Sequence, residues 1–149
     1  MSLQNDIMTA MKVAMKEKNQ TALIALRAVK SAILLAQTES GASESLTEEQ
    51  ELKILQKQVK QRKDSAAIFL EQGREDLASP ELAEAKVISQ FLPEAMSVVE
   101  IEKIVIKTIE NLGASGMKDM GKVMGVVSKE LAGKADGKTI STLVKQKLL

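Results

Sequence analysis

A long segment without helix breakers predicts the largest element of the fold. No glycine or proline occurs between Thr47 and Gln72, and Thr47-Glu48-Glu49-Gln50 has the pattern of a helix capping box. Apolar side chains recur through the segment at helical spacing, at Leu52, Leu55, Val59, Ala66 and Phe69. The segment therefore predicts one helix of about seven turns, ending near Gly73.

Composition extends this prediction to the whole chain. The 149 residues include 8 glycines, 2 prolines and 2 aromatic residues, Phe69 and Phe91, while Ala, Leu, Lys, Glu and Gln dominate. These are the residues that favour helices, and no run with the pattern of a strand is visible. We expect an all-α protein.

The helix signals divide the chain into two predicted domains. Residues 1–93 predict about four helices in antiparallel pairs, the first ending near Lys18 and the second capped by Asn19. Residues 40–45 (SGASES) predict a loop. Ser79-Pro80-Glu81 predicts the start of the fourth helix, which Pro93 ends. Residues 96–149 predict a compact three-helix domain.

One helix of that second domain carries an unusual pattern. Read at about 100° per residue, Met117 to Leu131 separates into a large apolar strip, a small-residue strip and a lysine strip. The apolar strip predicts the core face. The small strip includes Gly121 and Gly125, and the lysines are Lys118, Lys122 and Lys129. Two readings stay open, a seam where another helix packs closely and a surface that receives something negatively charged.

The positive charge of the chain is concentrated in this domain. Residues 113–149 carry seven basic groups, all lysines, and three acidic ones, whereas the whole chain has a net charge of +1. Lys134 and Lys138, beside the turn that follows Gly133, add to the predicted surface. This excess is a moderate signal for contact with something negatively charged, well short of that of a strongly basic domain.

A second basic patch is predicted on the long helix, at Lys57, Lys60, Arg62 and Lys63. Arg62 interrupts the apolar face, however, and the alternative is an arginine that lies along the core and pairs with Asp76 or Glu84.

Several kinds of chemistry are excluded by the sequence itself. The chain has no Cys and no His, which removes thiol nucleophiles, imidazole bases and the common zinc ligands. Without Trp or Tyr, stacking of bases on aromatic rings is also disfavoured. Residues 132–139 (AGKADGKT) approach a Walker A loop but lack its first glycine and its preceding strand. We therefore predict no catalytic residues, no cofactor and no metal.

The sequence shows no apolar run long enough to span a membrane and no signal peptide, so a cytoplasmic protein without membrane contact is expected. We also expect a monomer.

Six motifs together resemble the GatB/YqeY family over nearly the whole chain. They are Leu26-Arg27-Ala28-Val29-Lys30, Lys60-Gln61-Arg62-Lys63-Asp64-Ser65, Gly73-Arg74-Glu75-Asp76-Leu77-Ala78, Phe91-Leu92-Pro93, Lys118-Asp119-Met120-Gly121-Lys122-Val123-Met124-Gly125 and Gly133-Lys134-Ala135-Asp136-Gly137-Lys138. The resemblance implies a helical domain followed by a three-helix domain similar to the tail of the B subunit of the tRNA-dependent amidotransferase, a carbon–nitrogen ligase with glutamine as amido donor.

In that enzyme the tail helps to hold tRNA, and the chemistry occurs elsewhere. The resemblance therefore implies a protein that is not an enzyme on its own and that binds tRNA or another structured RNA through the lysines above. An amidotransferase or a tRNA synthetase is the implied protein partner. Two alternatives remain, a protein-interaction module that uses the Gly121 and Gly125 face, and an accessory subunit of the amidation reaction.

Overall fold

A computed structural model describes residues 2–39, 41 and 45–149, and in this part of the chain the fold is all-α, as predicted. Residues 40 and 42–44 of the predicted loop lie outside the described residues. The described part contains no strand. It has one 3₁₀ turn, Met117–Asp119, and seven α-helices: α1 (Leu3–Lys16), α2 (Gln20–Glu39), α3 (Glu48–Glu71), α4 (Glu75–Ser89), α5 (Val98–Leu112), α6 (Met120–Glu130) and α7 (Gly137–Leu148).

The helices group into two compact units, the first ending at Leu92 and the second running from Pro93 to Leu149. In the first unit α1 packs on α2, α3 packs on α4, and α2 also packs on α3 and α4. The core side chains with almost no exposure are Ile7, Leu26, Val29, Ile33, Leu55 and Ile88. That each unit is an independently folding domain stays a prediction.

Local capping explains where the helices of the first unit begin and end. The Asn19 side chain accepts the Ala22 N–H at 3.1 Å at the start of α2. At the start of α3, Thr47 Oγ1 accepts the Gln50 N–H at 3.2 Å, and Gln50 Oε1 accepts the Thr47 N–H at 2.8 Å. Gly73 follows α3 with φ of +70°, a left-handed conformation that favours glycine. These predicted boundaries are confirmed.

The predicted start of α4 is wrong. The helix begins at Glu75, so that Pro80 lies inside it instead of at its first position. The N–H groups of Leu77 and Ala78 both donate to the Arg74 carbonyl, which already closes a helical turn before Pro80. Ala78, at 1% exposure, is buried by this extra turn, and its burial offsets part of the cost of Pro80, which loses the hydrogen bond to the carbonyl four residues earlier and crowds that carbonyl.

The second unit is a three-helix arrangement in which α5, α6 and α7 pack on one another. Its core comprises Ile101, Val105, Val123, Val127, Leu131, Ile140, Leu143, Val144 and Leu148. Ser97 and Glu100 form the predicted capping box of α5, and Gly113 ends that helix with φ of +59°. The Met96 N–H donates to the Lys134 carbonyl at 2.9 Å, which ties the segment before α5 to the α6–α7 loop.

Helix α2 is long and apolar enough to cross a membrane by length and composition, although the sequence prediction was that no segment is. In the structure this helix supplies six buried side chains to the core of the first unit: Ala22, Leu23, Ala25, Leu26, Val29 and Ile33. A core helix of a helical bundle meets the same criterion, so the finding is weak evidence for membrane contact.

Candidate functional site

The glycine- and lysine-bearing segment is a short helix preceded by a 3₁₀ turn, and not the single helix predicted from Met117 to Leu131. The Asp119 carboxylate accepts the Ser115 N–H at 2.9 Å and holds the entry to the helix. Gly116 before the turn has φ of +74°, which allows the chain to change direction. Helix α6 itself covers Met120–Glu130, so Lys118 lies on the 3₁₀ turn.

The predicted apolar strip is largely the core face. Val123 and Val127 have no exposure, and Leu131 has 1%. Met120 and Met124 are partly buried and pack against the same core. Met117 differs from the prediction, because it is 42% exposed on the 3₁₀ turn and lies outside the core. The shift from α to 3₁₀ geometry changes the direction of this side chain.

Gly121 and Gly125 face open space. Both are exposed, and a methyl group added at either would meet no heavy atom of a neighbouring segment within 4 Å among the described residues. The helix seam considered from the sequence is therefore absent from the described part of this chain. Each glycine within a helix costs about 1 kcal/mol relative to alanine, and no internal packing offsets that cost here.

The lysines of this segment border the glycines on one side and have no ion-pair partner among the described residues. Lys118, Lys122 and Lys129 are exposed, and within the described residues none of them forms an ion pair. Lys122 and Lys129 are seven residues apart, which is two helical turns or about 10.5 Å along the axis. By contrast, Lys147 on α7 contacts Glu102 on α5 at 2.7 Å.

Lys134 and Lys138 lie at a different place, beside the start of α5. Lys134 lines a groove of about 560 Å³ with Ser97 and Glu100. Lys138, the second residue of α7, lines another of about 380 Å³ with Val98 and Thr142. The sequence pattern did not reveal these grooves; Val98, which is more than half exposed and lines the groove beside Lys138, is the one apolar signal at that place.

The segment that approaches a Walker A motif is a helix cap. Asp136 Oδ1 accepts the Thr139 N–H at 2.9 Å and begins α7. The carboxylate thus lies at the helix end where a phosphate would be expected in a nucleotide-binding loop.

The second basic patch does not form as predicted. Arg62 is only 13% exposed and points towards α4, where its Nε lies 3.7 Å from Glu84 Oε1. Its Nη1 donates to the Gln58 carbonyl at 3.2 Å and to Gln58 Oε1 at 2.7 Å. Lys60 contacts Asp64 at 2.7 Å, and Lys57 and Lys63 are exposed. Arg62 is therefore separated from the three lysines, and the alternative pairing with Glu84 is confirmed.

Acidic side chains meet around a cavity in the first unit, a feature the sequence pattern did not predict. The cavity has a volume of about 600 Å³, and Asp6 of α1 lines it together with Glu48 and Glu51 of α3. Burial, followed by the negative charges of Glu48 and Asp6, raises the pKa of Glu51 above its ordinary value. The described residues contain no group of three or more carboxylates arranged to hold a metal ion.

Removing the Glu51 charge should stabilise the protein at neutral pH. A carboxyl group whose pKa is raised by folding contributes stability below its ordinary pKa, and this is lost as the pH rises through the folded value. We expect Glu51→Gln to raise Tm by about 1–3 °C at pH 7, since solvent screening leaves a fraction of 1 kcal/mol. The gain should vanish near pH 3.5. Thermal unfolding by circular dichroism at both pH values tests this, with the exposed loop variant Glu94→Gln as control; an equal gain in the control would contradict it.

Among known protein families, one matches this chain over nearly its whole length. A family model described as YqeY-like protein matches residues 4–148. The chain belongs to this family. This match confirms the family resemblance that the six motifs indicated.

Two fungal relatives share the name "Altered inheritance of mitochondria protein 41, mitochondrial". The protein of Clavispora lusitaniae is 32% identical over 130 residues, covering 87% of this chain and 74% of the relative. That of Pyrenophora tritici-repentis is 31% identical over 140 residues, covering 91% and 75%. These names contradict the predicted cytoplasmic location, which is therefore wrong. That prediction rested on the lack of a membrane-spanning run and of a signal peptide, and neither distinguishes the cytoplasm from mitochondria.

A third relative connects the YqeY-like family with an amidotransferase. It is named as the E subunit of a glutamyl-tRNA(Gln) amidotransferase, from Thermococcus gammatolerans, and is 38% identical over 84 residues. The match covers 54% of this chain but only 13% of the relative, which is named as an E subunit and not as the B subunit of the resemblance. The similarity thus concerns one segment of a much larger protein.

Proposed function

We propose that this YqeY-like chain is a non-catalytic RNA-binding or adaptor protein that holds tRNA, or another structured RNA, on the outer face of α6. Lys118, Lys122 and Lys129 make the principal phosphate contacts, and Lys134 and Lys138 contribute from the α6–α7 side. The observation that carries the proposal is the exposed α6 surface, where ammonium groups without an ion-pair partner among the described residues border two glycines that no neighbouring described segment covers.

The related amidotransferase protein supports tRNA as the RNA, because its name includes glutamyl-tRNA(Gln). The charge distribution gives independent support. Residues 113–149 carry a net charge of +4, whereas the remaining residues sum to −3. A positive charge that is concentrated on one face attracts a phosphate backbone to that face, although the chain as a whole is close to neutral.

Salt dependence tests the proposal directly. Each phosphate that a lysine neutralises on duplex nucleic acid contributes about 0.9 to the slope of log affinity against log salt concentration. The three lysines of the α6 segment should contribute about −2.7 to this slope, which alone is an affinity loss of about 40-fold between 50 and 200 mM salt, and Lys134 and Lys138 should make it steeper. Fluorescence anisotropy with labelled tRNA measures this slope. Absence of binding at 50 mM salt would refute the proposal.

An accessory role in amidation is the second candidate, and the relation to an amidotransferase favours it. In this case the α6 face would bind a protein, and adding the chain to a tRNA amidation assay would change its rate. No change in rate, together with recovery of RNA alone in pulldowns, would exclude this candidate.

A further inference from the structure

The outward direction of the glycines and lysines on α6 defines the shape of its free surface. The core-facing direction of the helix is given by Val123 and Val127, which have no exposure. At about 100° per residue, Gly121, Gly125, Lys122 and Lys129 all lie roughly 120–180° away from that direction. They therefore share the side of α6 that points away from the bundle, and the acidic Glu130 lies outside this sector.

Beside the two lysines the surface is a shallow saddle. Lys122 and Lys129 stand about 10.5 Å apart along the axis, with Gly121 and Gly125 on one side of the line that joins them and the partly exposed Val126 on the other. An added methyl group at Gly121 or Gly125 would meet no heavy atom of a neighbouring described segment within 4 Å, so the floor on the glycine side is open helix backbone. A convex, negatively charged ridge on this side has the ammonium groups along one edge and can approach that backbone closely.

The residue types of the second unit indicate which kind of nucleic acid supplies this negatively charged ridge. Both aromatic residues of the chain, Phe69 and Phe91, precede Pro93, so residues 93–149 offer no ring on which a base could stack. Single-stranded RNA is generally held by such stacking in addition to its phosphates. A double-helical segment instead presents a continuous sugar–phosphate ridge, recognised by shape and charge. The lysine charges favour this ridge over a protein helix.

We infer that the ligand of the α6 saddle is the sugar–phosphate backbone of double-helical RNA, lying against the helix backbone at Gly121 and Gly125. The inference rests on the proposed RNA-binding function and specifies the ligand and its distance of approach. The two glycines lower the stability of the helix and at the same time allow the RNA backbone to approach it closely.

Substitution of both glycines should raise the stability of the protein and lower its affinity for RNA. Gly121→Ala with Gly125→Ala should raise Tm by about 4–8 °C, because alanine favours the helix and no clash occurs within the chain. The same variant should bind labelled tRNA at least 10-fold more weakly, although every lysine is retained. Val126→Ala is the control on the same helix, since it also favours the helix, although less than the two glycine substitutions do, and removes bulk from an exposed position; its affinity should equal that of the wild type.

Competition between RNA probes tests the class of ligand. An RNA hairpin of unrelated sequence should displace tRNA within about 3-fold of unlabelled tRNA, and a U-rich single strand of equal length should be at least 10-fold weaker. Equal competition by the single strand would overturn the inference. Wild-type affinity in the glycine variant would also overturn it, while leaving the proposed function intact if charge reversal at Lys122 and Lys129 still abolished binding. Loss of affinity in Val126→Ala would show that binding depends on other features of the face and would likewise overturn it.

Discussion

Reversing the charge of Lys122 and Lys129 together is expected to weaken tRNA binding by about 100-fold at 100 mM salt. Loss of two phosphate contacts alone accounts for about 60-fold at this concentration through lost counterion release, and the two introduced carboxylates add repulsion. Both side chains are exposed, so Lys122→Glu with Lys129→Glu should leave the fold unchanged. Anisotropy titrations with labelled tRNA give the affinity, and circular dichroism confirms the fold.

The matched control is Lys103→Glu with Lys107→Glu on α5. These lysines belong to the same unit and are also exposed, and the control produces the same change in net charge. We expect the control to lose less than about 5-fold, because a charge outside the RNA contact acts only through the screened field of the protein. If both pairs lowered the affinity equally, the effect would come from overall charge, and the α6 surface would lose its special role.

The fold could be predicted from the sequence to the extent that it depends on local signals. The capping boxes at Thr47 and Ser97 and the glycine after α3 act within a few residues, and the structure has all three as predicted. The start of α4 could not be predicted in this way. There a tertiary contact, the burial of Ala78, decides in favour of a helix that includes Pro80 against the usual preference of proline.

In the candidate site, too, local features could be predicted from the sequence and tertiary contacts could not. The spacing of Gly121, Gly125, Lys122 and Lys129 predicts neighbouring strips of one helix, and all four lie on α6, because helical periodicity is local; Lys118 lies instead on the 3₁₀ turn. The choice between a helix seam and an open face depends on whether another segment covers the glycines. Only the three-dimensional packing shows that none of the described segments does. Local spacing also does not decide the position of Arg62, because its partner Glu84 is far away in the sequence and close across the α3–α4 pair.

Truncating Ile88 should cause the largest loss of stability. Its side chain has no exposure and joins the core of the first unit, so Ile88→Ala removes buried methyl groups and leaves a cavity, at a cost of about 2–5 kcal/mol. Leu82 on the same helix is 45% exposed, and Leu82→Ala should cost less than about 1 kcal/mol. Urea unfolding followed by circular dichroism measures both; equal losses would contradict the assignment of Ile88 to the core.

The same variant tests whether the two units fold independently. The cores of the two units share no residue, and the α6 surface belongs entirely to the second. If the units are separate domains, Ile88→Ala should lower the midpoint of one unfolding transition and leave the second unchanged. The variant should then still bind tRNA with wild-type affinity at a urea concentration that unfolds only the first unit. Loss of RNA binding in step with the first transition would instead mean that the three-helix unit requires the first unit in order to present its lysines.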